Sequence, residues 1–150
     1  MNLAIFLAIG SSVLLIIFVL IYFSVQRKVS ITYGNIVVDG QSLTVQQTIK
    51  EPSVSTNVSP FTIVLFDKDA PTSKAQGLSY LHWAKSGNDV IIPYQGPTPP
   101  PLTGTHTYRF NLYDGLINHI INEKRDQFDI EKLDSELKKF DSVYFTVDSS

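Results

Sequence analysis

Six consecutive residues, Phe61-Thr62-Ile63-Val64-Leu65-Phe66, form an apolar and β-branched run without polar alternation. A short run of this kind fits a strand covered on both faces. It requires the rest of the domain to supply cover on each side. The run leads directly into Asp67-Lys68-Asp69-Ala70-Pro71, so carboxylates stand where the buried strand ends. Two of the three histidines and a proline-rich stretch, Gly96 to Gly104, lie within the same third of the chain, Phe61 to Tyr113.

A second constraint comes from the N-terminus. Leu3 to Val25 carries no charged side chain. At the helical rise its 23 residues span roughly 35 Å, enough to cross a hydrocarbon core of about 30 Å. A cleaved signal peptide would show a charged start, a shorter apolar run and a small-residue cleavage site. Here the start is Met1-Asn2, the run is long, and Phe23-Ser24-Val25-Gln26 offers no such site. Residues 1–28 are therefore expected to form a retained single-pass transmembrane anchor, and 29–150 the folded domain. Arg27 and Lys28 on the C-terminal flank favour a domain on the cytoplasmic side.

From Val29 onward the pattern is β-rich. Val29 to Tyr33, Ile36 to Val38 and Leu43 to Ile49 read as strands separated by the turn dipeptides Gly34-Asn35 and Asp39-Gly40. Pro52 to Pro60 reads as a loop; its Asn57-Val58-Ser59 matches a glycosylation acceptor but is read as a loop serine cluster. Leu78 to Ala84, Val90 to Ile92 and Thr105 to Tyr113 follow as strands. Strict alternation places Tyr80 and His82 on one face with Trp83 opposite, and His106 and Tyr108 together on another. Leu116 to Glu123 is expected to form a short helix. A second helix carries Ile130, Leu133, Leu137 and Phe140 as one stripe, before a last strand, Val143 to Val147.

The bulk numbers remove several functions. At 150 residues there is room for one domain. No cysteine is present, so disulfides, thiolate metal sites and cysteine nucleophiles are excluded. Without Arg27 and Lys28, 10 basic residues face 14 acidic ones, with no basic stripe to suit nucleic acid.

If the faces of His82 and His106 look into one cavity, two imidazoles, two phenols and the Asp67 and Asp69 carboxylates converge. A carboxylate behind an imidazole favours the cation, which describes a pocket for a phosphate or carboxylate anion. On spacing alone, the same residues also fit two satisfied histidines at strand ends and a turn-forming aspartate pair before Pro71. A facial-triad metal site lacks any short-range ligand pair. A serine hydrolase lacks the Gly-x-Ser-x-Gly elbow, although Ser73 and Ser79 are near. Gly96 to Gly104 has too few glycines to cradle a nucleotide phosphate and reads as a rigid lip.

In order, Phe66-Asp67-Lys68-Asp69-Ala70-Pro71, Tyr80-Leu81-His82-Trp83, Gly96 through Pro99-Pro100, and Thr103-Gly104-Thr105-His106-Thr107-Tyr108 resemble the signature of the phosphatidylethanolamine-binding protein family. That family includes the Raf kinase inhibitor proteins and plant floral regulators. The likeness covers most of Ile31 to Asp148 and none of the anchor. It implies a mainly β fold: a large antiparallel sheet with flanking small strands and two short C-terminal helices. It also implies a small pocket for phosphate-like anions, formed here by Asp67, Asp69, Tyr80, His82, Gly96, Pro100, His106 and Tyr108. Lys68, Thr98 and Thr107 depart from the pattern, where Pro, Gly and Arg are usual. The chain ends at Ser150, so the family's closing helix beside the pocket is expected to be missing and one wall open.

The resulting expectation is a membrane-tethered, non-enzymatic module that binds a phospholipid headgroup or phosphate-type anion, without metal or cofactor. Its domain is expected to be soluble and monomeric once freed of the anchor. The alternative is a structural or regulatory protein-interaction component, a kinase modulator or viral envelope protein, with a vestigial pocket. A compact anchored version of a cellular fold would suit the host or virion membrane of a large DNA virus.

Overall fold

The computed structural model describes residues 29–118 and 124–149. The expected transmembrane anchor therefore lies outside the described residues. Among those described, no helix is long and apolar enough to cross a membrane.

The run that opens the sequence argument becomes β4, Phe61–Asp67, and it lies at the centre of a five-stranded antiparallel sheet. On one side stand β5, Tyr80–Ser86, and the edge strand β6, Asp89–Ile92. On the other stand β7, Thr105–Asp114, and the edge strand β8, Lys139–Asp148. A second sheet has β1, Val29–Tyr33, between β2, Ile36–Val37, and β3, Ser53–Thr56.

Both faces of β4 are covered, as its composition requires. Ile63 and Leu65 join Trp83, Tyr108, Phe110, Leu112 and Phe145 in a core closed by Ile31, Tyr33, Val38 and Leu43 from the small-sheet side. Val64 and Phe66 point the other way, into a second cluster with Leu81, Ala84, Tyr113, Phe128, Ile130 and Leu133. The last two belong to the short helix α2, Ile130–Glu136; the other short helix, α1, is Pro71–Lys74. Each fully buried Leu, Ile or Phe side chain contributes about 1.5–3 kcal/mol of transfer free energy. The two clusters together are the main stabilising store.

Several expected elements are redrawn. Leu43 to Ile49 is not a strand; Gln46–Thr48 forms a 3₁₀ turn. Thr44 and Gln47 bond reciprocally: Thr44 N–H donates to Gln47 Oε1 at 2.8 Å and Gln47 N–H to Thr44 Oγ1 at 3.2 Å. That side-chain competition for the backbone curls the chain. Conversely, part of the expected Pro52 to Pro60 loop is β3, whose Ser53, Val54, Ser55 and Thr56 pair with Thr32 back to Val29. Leu116 to Asn118 is not helical, and 119–123 lie outside the described residues.

The expected helical stripe ends early. Leu137 is extended at φ −121°, and Phe140 lies in β8. Phe140 packs on the small-sheet core, whereas Ile130, Leu133 and Leu137 belong to the opposite cluster. One helix face cannot serve both sides of a sheet. The turn at Gly34 (φ +61°) uses the left-handed backbone that glycine adopts without steric cost.

Candidate functional site

The site forms where β4, β5 and β7 end together. Asp67 pairs in register with Tyr80 on one side and Tyr108 on the other. The ladder between β4 and β5 then slips: Phe66 pairs with Leu81 but Leu65 with Trp83, leaving His82 as an extra residue. This β-bulge overturns the expected strict alternation. Trp83 packs in the core beside Leu65 and Tyr108, while the His82 ring touches Tyr108, with centroids 5.1 Å apart. His82 and Trp83 therefore share a face.

A bulge frees backbone groups from the ladder. Here Arg125, on a 3₁₀ turn at Arg125–Gln127, collects them. Its Nη1 donates to Leu81 O at 3.0 Å and His82 O at 2.9 Å, and Nη2 donates to Pro93 O at 2.7 Å. The same side chain thus braces the bulge and pins the loop after β6.

A cavity of about 700 Å³ opens over this region, lined by Asp67, Tyr80, His82, Pro100 and Tyr108 among the expected residues. The walls also include Ala70 to Ser73, Gln95, Thr98, Pro99 and Lys124 to Asp126. The wall expected to stand open is thus partly formed by the 124–126 segment, fixed by a Ser73 Oγ bond to Asp126 O at 2.9 Å.

Three expected residues do not line the cavity. His106 stands behind it: Nδ1–H donates to Asp67 Oδ2 at 2.7 Å, and Nε2 lies 2.8 Å from Thr103 Oγ1. Thr103 Oγ1 donates to Pro100 O at 2.6 Å. The chain of contacts from Asp67 through His106 and Thr103 to Pro100 joins the strand end to the lip. Asp69 is a loop anchor, accepting Thr107 N–H at 3.0 Å and Lys74 Nζ at 3.2 Å. Burial alone would raise its pKa, but these donors hold it below the usual carboxylate value. Gly96 packs against the 3₁₀ turn, where a Cβ would stand 2.9 Å from Thr48 O.

His82 differs from the expected cation. Nδ1–H donates to Gln95 O at 2.9 Å, so the neutral ring keeps a lone pair on Nε2. Burial pushes its pKa down, and Arg125 adds to this, against the Gln95 and Gly96 carbonyls and the Asp67 charge. Tyr80 spends its phenolic proton on Gln95 Oε1 at 3.1 Å. Burial, with Asp67 and Asp69 behind it, pushes the Tyr108 phenol up. Among the described residues, no group of three or more His, Asp or Glu side chains is placed to hold a metal ion.

Arg125 and Lys124 escaped the sequence reading. Both sit in a run of charged residues, and no spacing ties them to a strand more than forty positions away.

The domain combines two sheets with a polar cavity at the ends of three central strands. The sequence profile of the phosphatidylethanolamine-binding proteins matches residues 24–143, and the chain belongs to that family. A 26 kDa secreted antigen of Toxocara canis is 30% identical over 102 residues, 59% of this chain and 39% of the antigen. The chain thus spans well under half of that relative. Among solved structures, the phosphatidylethanolamine-binding protein of Plasmodium vivax superposes with TM-score 0.64 at 18% identity, covering 83% of this chain and 86% of its own. A carboxypeptidase Y inhibitor, solved with its cognate proteinase, gives 0.66 at 19%, with 81% and 83% covered. At these identities the likeness concerns the fold.

Proposed function

We propose that this domain is a non-enzymatic binding module that takes a phospholipid headgroup or another small phosphate-bearing group, held at a membrane by its apolar N-terminal segment. The observation that carries the reading is the cavity itself. Five expected site residues line it, and Lys124 and Arg125 bring positive charge to its wall. Its volume lies within the roughly 300–1,000 Å³ usual for small-molecule sites.

Thr103, His106 and Asp67 align like a nucleophile, base and orienting acid, at 2.8 and 2.7 Å. The alignment does not favour hydrolysis, because the Thr103 proton is committed to Pro100 O rather than to the imidazole.

Calorimetric titration of the full chain with phosphoethanolamine and with inorganic phosphate tests the reading. Saturable binding of at least one ligand at millimolar concentration is expected. No binding of either would replace it with the protein-interaction reading. Resistance of the full chain to alkaline carbonate extraction tests the tether, and protease protection in sealed vesicles tests the cytoplasmic orientation.

A further inference from the structure

The five-stranded sheet has two ends, and the N-terminal strand enters from only one of them. At the cavity end stand Asp67, Tyr80 and Thr105; at the other end, the base, stand Phe61, Ser86, Asp114 and Lys139. Backbone bonds draw the base together: Gly87 N–H donates to Phe61 O at 2.9 Å, Gly115 N–H to Pro60 O at 3.1 Å and Asp114 N–H to Lys138 O at 3.0 Å. Val29, where β1 begins, pairs with Thr56, five positions before Phe61. Four residues on, the Tyr33 ring meets Phe145, the register partner of Tyr108. The Tyr33 hydroxyl lies 3.0 Å from that of Tyr94, next to Gln95 of the cavity wall. β1 therefore runs from the base toward the cavity. Four residue steps along β1 and three more from Tyr108 to Thr105 put Val29 about 24 Å below the mouth.

Reach decides which end can meet a bilayer. Only Gln26, Arg27 and Lys28 separate Val29 from the apolar run that ends at Val25. Fully extended, that connection covers about 14 Å. The headgroup layer outside the hydrocarbon is roughly 5–8 Å deep on each side. For the cavity mouth to touch headgroups, Val29 would have to stand about 30 Å from the hydrocarbon, twice that reach. Leu102 and Ile49, the exposed apolar residues near the mouth, are thus held away from this membrane. The base meets no such limit, and it exposes Leu116 and Val90, each by more than half. Leu116 lies against the turn at Gly87, where a Cβ would stand 3.1 Å from its Cδ2, and Val90 pairs with Lys85 across the same turn. Charges at this end are mixed, Lys85, Lys138 and Lys139 with Asp89 and Asp114, so apolar contact is what favours it.

We propose that the base, with Leu116 and Val90, rests on the bilayer that holds residues 1–28, and that the cavity opens away from that bilayer. This rests on the tethered reading above and not on what the cavity binds. Whatever enters the cavity then arrives from the side away from that leaflet.

The chain has no cysteine, so single thiols can be placed without interference. Leu116→Cys, Val90→Cys and Leu102→Cys, all at exposed positions, are each labelled with a dye in the full chain. The proteins are reconstituted into vesicles containing a lipid with a nitroxide on its headgroup, which quenches only nearby dyes. Quenching at 116 and 90 is expected to exceed that at 102 severalfold, because the ten residues of β7 separate Leu102 from Leu116 by roughly 30 Å. Equal quenching at both ends, as for a domain lying on its side, would overturn the proposal. So would stronger quenching at 102, or none at either end in a chain that floats with the vesicles. The two base positions guard against one variant that fails to fold. If the unaltered chain does not float with the vesicles, the tethered reading itself falls, and the proposal with it.

Discussion

The Nδ1–H of His106 meets the carboxylate of Asp67 at 2.7 Å, with side chains only 1% and 3% exposed. A pair this deep has lost its water, and each member depends on the other for compensation. Although it stands near a strand end, His106 is part of the fold, because its side chain is buried. Asp67→Ala or His106→Ala should each destabilise the domain by about 3–5 kcal/mol, the usual result of orphaning one buried partner. The double variant should lose clearly less than the sum of the two. Chemical denaturation of the four proteins of this cycle measures the coupling, and strict additivity would show the pair to be energetically idle.

His82 makes stability depend on pH in a window above the carboxylates. Its folded pKa is lowered, chiefly by burial, below the unfolded value of about 6.5. Between those two values the unfolded chain binds the extra proton and the folded chain does not. The contribution is therefore complete above about pH 6.5 and is lost as pH falls toward the folded value. Asp67, Arg125 and the Gln95 and Gly96 carbonyls are the groups that set that lower limit. His82→Gln should flatten the stability profile between pH 7.5 and 5.5, about the histidine range. An unchanged slope in guanidinium titrations would show that the imidazole does not titrate on unfolding.

Gly96 is fixed by its neighbours rather than by its dihedrals. A methyl group there would meet Thr48 O at 2.9 Å and Ile49 Cα at 3.4 Å, both backbone atoms that cannot swing aside. Gly96→Ala should cost about 1–3 kcal/mol, as overpacking does. Thermal unfolding reads it directly.

Leu102 sits at φ +65° and is 98% exposed. A leucine there bears the left-handed backbone penalty without burying anything. Leu102→Gly or Leu102→Asn should leave stability unchanged or raise it by up to about 1 kcal/mol. Leu102→Ala, which keeps the Cβ, should bring no gain. A destabilised asparagine variant would mean that the leucine makes contacts in solution.

The parts legible in the sequence were those governed by one local rule. Phe61 to Phe66 announced a central strand because no water-facing position interrupts it. The Thr105 to Tyr113 alternation placed His106 and Tyr108 on the same side as Phe110 because β7 runs without irregularity until Leu112. Where two rules competed, the reading failed. The Thr44–Gln47 side-chain bonds overrode β-propensity at 43–49, and pairing with β1 made a strand of residues whose composition suggests a loop. Asp67 was found because it ends a regular strand and Tyr108 because it lies on one, whereas the alternation that led to His82 breaks at that very residue. Arg125 was not found, because its role depends on carbonyls that only the bulge makes available.

The slip at His82 has a further consequence for how much chemistry a strand can display. A regular strand offers each face every second residue, yet here three of four successive side chains, Tyr80, His82 and Trp83, look the same way. Deleting His82 would let Leu81 and Trp83 follow one another in phase, opposite Phe66 and Leu65 as they already are. The ladder is complete without this residue. The imidazole is a guest in the weave, held by a carbonyl of the next loop and an arginine from far along the chain, and its place could be emptied without moving a single core residue to the wrong side.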